Sequence, residues 1–372
     1  VKIGYVSTYL PQQCGIATYT DYLIQGLLKT TQDVDVRIVC ETGASEFRRE
    51  RVEAIPCWHR DEDYVEPILS HTRELDAVHI QHEYGIYRFD ERLPTLLRRL
   101  KGITKRIITI HCVRPRQFSD VPEIEDFTRE IAYESDQVIV HLQSAKDILA
   151  RLGVPQGKMD VVPHGTELSD VKKSVARDRL GLPQTSRIFL MFGFVKPHKC
   201  AHVALEAVKQ LSKEMKDVCL FLAGGLAPTA SEKDREYVAH LKSKIAELAM
   251  SEKVIFPERF FPNEDVPYIL GAADVILFPY YEEDRSSSGS LHLSIGAKRP
   301  VIASRIPKFA DLGEVCDELL VLPYNSSAIA EVTLRLFKDA EFERHVMEGI
   351  EAYGRRTSWL STAARHLEVY ME

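Results

Sequence analysis

Short apolar runs alternate with stretches of helical spacing along almost the whole chain. The first half carries such runs at 2–7, 34–40, 77–81, 106–111, 137–141 and 159–163. Between them, 19–29 and 144–152 repeat apolar residues every three to four positions, the spacing of one helix face. A polar, charged stretch, GTELSDVKKSVARDRLGLPQTSR, interrupts the pattern. The alternation restarts at 187–192, 218–223, 254–257, 275–278, 300–304 and 319–322, and 358–370 closes the chain with helical spacing. Alternating strands and helices predict parallel sheets covered on both faces. The restart predicts two such domains, Rossmann-like and doubly wound. The expected divisions are 1–168, a linker at 169–186, a second domain at 187–354, and a C-terminal helix at 355–372 returning to the first domain.

Composition narrows the class. The chain has 372 residues, enough for two domains, and 45% of them are hydrophobic, enough for sizeable cores. A net charge of −7 does not advertise nucleic acid as a partner. The opening VKIGYVSTYL lacks the charged-then-apolar order of a secretion signal and reads as a first strand. No apolar run is long enough to span a bilayer. Seven cysteines without a CxxC pair point to reduced thiols and a cytoplasmic protein, neither a disulfide framework nor a zinc site.

Open α/β sheets bind ligands beyond the carboxyl ends of their strands. Two facing domains therefore predict a cleft with a hinge, and the strand ends hold the candidate chemistry. Gly15, ahead of the first helix, permits close approach of a phosphate or sugar. His82, Glu83 and Tyr84 end the third run and offer an acceptor-side loop. His79 and His82 are three apart, so on a strand they face opposite ways and do not share a metal. His111 ends the fourth run, with Arg114 and Arg116 nearby. In the second half, Gly193 is followed by Lys196 and Lys199 ahead of a helix, a suitable diphosphate site. Arg259 and Phe260 lie in a loop able to hold a base edge. The stretch EEDRSSSGSLHLSIGAKRPVIAS, at 282–304, opens a helix with small hydroxyl residues. It reads as a helix cap, an anion site, or a diverged active-site loop.

Together these strand ends resemble the GT-B glycosyltransferases of family 4 over nearly the whole chain. The motifs are CGIATYT, TIHCVRP, VVPHGTE, GFVKPHK, LAGG, AADVILFPYYEED and GAKRPVIAS. The resemblance implies retaining sugar transfer from a nucleotide-sugar donor, without a metal or other cofactor. It places the donor mainly on the second domain and the acceptor mainly on the first. His111 would then sit near the transferred sugar, and Lys199 would bind the diphosphate and act in catalysis. Gly15, Lys196, Ser288, Gly289 and Ser290 would complete the diphosphate site. The sequence also departs from the family. Phe194 replaces an arginine after Gly193, and Lys196 stands where some relatives carry that arginine. Of the usual two glutamates, the first, which contacts the donor sugar, falls on Asp284; the ribose position falls on His292.

The expected partners are a nucleotide-sugar and a sugar, glycan or lipid-linked acceptor. Rival readings are a phosphorylase, a sugar-nucleotide epimerase or a noncatalytic binding subunit. The basic run Arg98, Arg99, Lys101, Lys105 and Arg106 raises peripheral contact with the inner membrane surface, although cations at a helix end also suit its dipole.

Overall fold

A computed structural model describes residues 1–227, 229–281 and 286–371. The chain divides into two compact units: 1–165 with 284–287 and 357–372, and 166–283 with 288–356.

The first unit holds eight strands: β1 (Lys2–Ser7), β2 (Asp35–Glu41), β3 (Phe47–Arg48), β4 (Val52–Trp58), β5 (Ala77–His82), β6 (Lys105–Ile110), β7 (Gln137–Val140) and β8 (Met159–Val161). Their order is β3-β4-β2-β1-β5-β6-β7-β8, parallel except for the antiparallel pair β3–β4. Apolar layers cover both faces, one built around Leu93, Leu96 and Ile131, the other around Leu23, Leu27 and Trp359. The second layer includes the C-terminal helix Trp359–Met371, which packs along Gly15–Thr30. The helices meet closely because Gly26 has no side chain: a Cβ there would lie 2.6 Å from the Trp359 carbonyl oxygen.

The second unit holds β9 (Arg187–Phe192), β10 (Val218–Ala223), β11 (Val254–Ile255), β12 (Val275–Phe278), β13 (Val301–Ser304) and β14 (Leu320–Val321). All are parallel, in the order β11-β10-β9-β12-β13-β14. β10, β12 and β13 are buried throughout, as expected of strands covered on both faces.

Both sheets are wound outward from the middle. The winding reverses between β1 and β5 in the first unit and between β9 and β12 in the second. At such a reversal the two neighbouring crossovers leave in opposite directions and open a crevice at the carboxyl ends.

The expected linker is not wholly irregular. Residues Lys173–Leu180 form a helix of the second unit. Asp274, just before β12, receives Arg177 at 2.7 Å, Lys173 at 2.6 Å and the backbone N–H of Ile188 at 2.7 Å.

Candidate active site

The loops after β9, β10 and β11 touch through their backbones. Gly193 has a φ of +96°, a conformation that side chains oppose. A Cβ on Gly224 would lie 2.0 Å from the Gly193 carbonyl oxygen. A Cβ on Gly225 would lie 2.7 Å from the Glu258 carbonyl carbon. The Val195 N–H donates to the Gly225 carbonyl at 2.9 Å, locking the first two loops together. The LAGG motif is thus a packing requirement as well as an open backbone surface.

Lys199 ends a 3-10 turn, Pro197–Lys199, directly before the helix Ala201–Glu214. Its ammonium lies 3.1 Å from the point where a Gly193 Cβ would stand and 5.5 Å from the Tyr280 ring centroid. The Tyr281 N–H donates to the His198 carbonyl at 2.8 Å. The segments following β9 and β12 therefore meet at the reversal point, with a cation at their junction. Lys196 is half-buried in extended backbone three residues earlier.

Phe260 is 48% exposed and stacks on Phe194, with centroids 6.0 Å apart and planes 27° apart. Arg259 lies over Phe261 at 4.6 Å. Phe194 reads in the sequence only as a lost arginine; in the fold it is half of an aromatic shelf. Separation along the chain hides that partnership.

The serine-rich stretch resolves in part. Ser288 caps the helix Gly289–Gly296, its Oγ accepting the Leu291 N–H at 3.2 Å. The Ser290 carbonyl accepts from Ser294 Oγ at 2.7 Å, and Gly289 is the first helical residue. Ser286 pairs with Cys112 inside the first unit. Asp284 lies outside the described residues. His292 is fully buried: Nδ1 is 3.0 Å from Thr166 Oγ1, and Nε2 is 3.1 Å from Asp311 Oδ2. Both ring nitrogens are engaged by side chains of the second unit. No spacing in the sequence announces Thr166 and Asp311 as its partners.

In the first unit, His111 follows β6 and is 8% exposed. Its Nε2 is 2.9 Å from the Gln81 amide, its Nδ1 is 3.1 Å from His141 Nε2, and Tyr19 meets the ring edge-on at 4.6 Å. Burial first, then the neighbouring His141, pushes its pKa well below the usual imidazole range. His82 is wholly buried, stacked on Tyr87 and flanked by Tyr84 and Phe127. Its ring nitrogens have no hydrogen-bond partner among the described residues, and burial lowers its pKa to about 3. Glu83 accepts the Gly85 N–H at 2.6 Å. Tyr84 shares a 2.8 Å hydrogen bond with Thr128 and carries Arg114 over its ring at 5.8 Å; Arg116 is exposed. Gly15 is exposed, and a Cβ there would meet open space.

The structure thus brings Gly193, Lys199, Phe194 and Phe260 together on neighbouring loops of the second unit. Gly15, His82, Glu83, Tyr84 and His111 belong to the first. The basic run is largely balanced: Arg98 pairs with Glu91 and Glu130, Arg99 with Glu66, and Arg106 with Asp136, while Lys105 donates to the Val369 carbonyl. Among the described residues, no helix is long and apolar enough to cross a membrane.

Comparison with known proteins places these observations. Residues 186–339 match the model for glycosyl transferases group 1, and residues 14–170 match that for glycosyltransferase family 4. The chain is 26% identical over 262 residues to D-inositol 3-phosphate glycosyltransferase of Salinispora arenicola, covering 65% of this chain and 56% of that protein. It is 23% identical over 257 residues to 2-deoxystreptamine glucosyltransferase of Streptomyces kanamyceticus, covering 65% of this chain and 63% of that one. The matched region thus spans less than two thirds of each of these relatives. The crystal structure of Anabaena HepE with UDP superposes with a TM-score of 0.75 at 15% identity, over 99% of each chain. Two parallel α/β sheets wound in this way define the GT-B architecture. The chain belongs to the glycosyltransferases, with a family 4 domain followed by a group 1 domain.

Proposed function

We propose that the protein is a retaining transferase that moves a hexose, mannose or glucose, from a nucleoside-diphosphate sugar to a hydroxyl acceptor without a metal. The observation that carries this reading is Lys199, set against the bare backbone of Gly193 at the reversal point of the second sheet. A diphosphate there meets an ammonium group and the start of the helix Ala201–Glu214. Such preorganised positive groups stabilise charge as it develops on a leaving nucleoside diphosphate. Lys196 adds a second cation. Phe194 and Phe260 offer a flat surface for a base or ribose, and Asp284 would orient sugar hydroxyls. In this reading the leaving phosphate assists deprotonation of the acceptor on the same face, which preserves the anomeric configuration. HepE is recorded with UDP and with UDP-glucose, which makes uridine nucleotides the first donors to try.

The test is incubation with UDP- and GDP-hexoses, a panel of sugar, glycan and lipid-linked hydroxyl acceptors, and a chelator. The expected result is acceptor-dependent nucleotide release and a product with the donor's anomeric configuration. Donor conversion without acceptor would replace this reading by an epimerase, and dependence on free phosphate by a phosphorylase. Binding without turnover across the panel would replace it by a noncatalytic subunit.

A further inference from the structure

The first unit contains a continuous buried chain of polar side chains behind His111. It starts at the C-terminal helix, where Tyr370 meets Tyr5 at 2.6 Å and His79 Nδ1 at 2.8 Å. His79 Nε2 lies 2.7 Å from Thr109 Oγ1 and 3.1 Å from the Gln81 amide. The same amide reaches His111 Nε2 at 2.9 Å. His111 Nδ1 meets His141 Nε2 at 3.1 Å, and His141 Nδ1 ends the chain at the Val162 carbonyl, 2.9 Å away. Tyr5, His79, Gln81 and Thr109 have no measurable exposure.

The fixed end sets the direction of every bond. A carbonyl oxygen only accepts, so His141 must carry its proton on Nδ1. A neutral His141 then offers a lone pair on Nε2, so His111 must donate from Nδ1. A neutral His111 in turn offers a lone pair on Nε2, and Gln81 must present its NH2 group there. The structure draws the amide oxygen towards His111 and the nitrogen towards His79. That orientation requires an extra proton on His111 or His141. A half-turn of the amide removes this demand. The Gln81 oxygen then accepts from His79 Nε2, and His79 Nδ1 accepts from Tyr370. Burial disfavours the charged alternative, and both His79 and His111 are held well below the usual imidazole pKa, chiefly by burial.

We propose that Gln81 and His141 are positioning residues that hold His111 as a neutral imidazole, protonated on Nδ1, with its Nε2 lone pair occupied by the Gln81 NH2 group. His111 then presents an oriented, uncharged ring to its surroundings and exchanges no proton with a substrate. The functional half of this inference rests on the reading of the chain as a transferase; the protonation pattern does not.

The test has two readouts on the full chain. Long-range proton–nitrogen correlation spectra of protein with isotope-labelled histidine report which ring nitrogen carries hydrogen, and His111→Gln identifies the His111 signals. The expected pattern is a hydrogen on Nδ1 of His111, on Nδ1 of His141 and on Nε2 of His79. A hydrogen on Nε2 of His111, alone or together with Nδ1, overturns the proposal. Gln81→Glu supplies an acceptor only, so it should convert His111 to the doubly protonated form; an unchanged His111 spectrum also overturns it. In the transfer assay, Gln81→Leu should lower kcat about tenfold, as expected of a misplaced group near the chemistry, with donor KM unchanged. Unaltered kcat removes the positioning role. If no transfer is found with the parent protein, the spectra still decide the protonation pattern, and the loss falls on the transferase reading alone.

Discussion

Lys199 and the three glycines have separable roles. Replacing Lys199 by Met keeps the stem beside Tyr280 and removes the charge. A charge-assisted hydrogen bond contributes roughly 1.5–3 kcal/mol, so calorimetric titration should show nucleoside-diphosphate binding weakened about 10- to 150-fold. Thermal stability should barely change. Gly224→Ala behaves oppositely, because its methyl group has to displace the Gly193 carbonyl. Overpacking of this type costs about 1–3 kcal/mol, read by denaturant unfolding, and it disturbs the donor loop as well. The sequence exposes Lys199 and the glycines because loop chemistry after a strand is local. It conceals the Phe194–Phe260 shelf and the burial of His292 by Thr166 and Asp311, since both depend on contacts distant along the chain. The small hydroxyl residues at 286–290 combine two roles: Ser288 caps a helix, while Ser286 belongs to the first unit's backbone pairing.

At the scale of elements, strands buried on both faces are the easiest to read. β9, β10 and β12 occupy the apolar runs 187–192, 218–223 and 275–278. β3 and β4 escape the pattern because the segment FRRERVEAIPCW mixes charge with apolar residues at the sheet edge, where one side needs no burial. The helix Lys173–Leu180 hides in a charged stretch because it is fixed by ion pairs. Burial works against ionisation of Asp274, yet Lys173, the Ile188 N–H and Arg177 outweigh it and hold the carboxyl below its usual range. Asp274→Ala leaves Arg177 buried without its carboxylate and should cost about 3–5 kcal/mol in denaturant unfolding. The C-terminal helix offers a further check. An alanine in an exposed helix ordinarily stabilises relative to glycine, by roughly 0.5–1 kcal/mol. Gly26→Ala should instead lower the melting temperature, because its methyl group meets the Trp359 backbone.

The two units should respond differently to acid. Buried histidines with lowered pKa in the first unit include His79 and His111, well below the ordinary value, His366 at about 4 and His82 at about 3. Above about pH 6.5 they are neutral whether folded or unfolded and have no effect on stability. As pH falls below that point, the unfolded chain binds protons that the native unit refuses. Each such proton costs about 1.4 kcal/mol per pH unit until the folded pKa is reached. In the second unit His202 is lowered by burial too, but it is only partly buried, and the depressed carboxyl of Asp274 loses its contribution only below about pH 3.8. Both tryptophans, Trp58 and Trp359, lie in the first unit. On acidification from about pH 7 to about pH 4, tryptophan fluorescence should therefore change before much of the helical circular dichroism is lost. Coincident changes confined to lower pH would refute this order.

The central claim, that the strand ends of the second unit bind a nucleoside-diphosphate sugar, is tested most directly by thermal melting with UDP, GDP and ADP and their hexose conjugates. Each ligand is measured with and without magnesium, with Lys199→Met in parallel. A ligand at about 100 times its dissociation constant stabilises by roughly 2.7 kcal/mol, a visible shift. The expected result is a magnesium-independent rise with one nucleotide family that is much reduced in Lys199→Met. No rise with any nucleotide at saturation, or an equal rise in the variant, would contradict it.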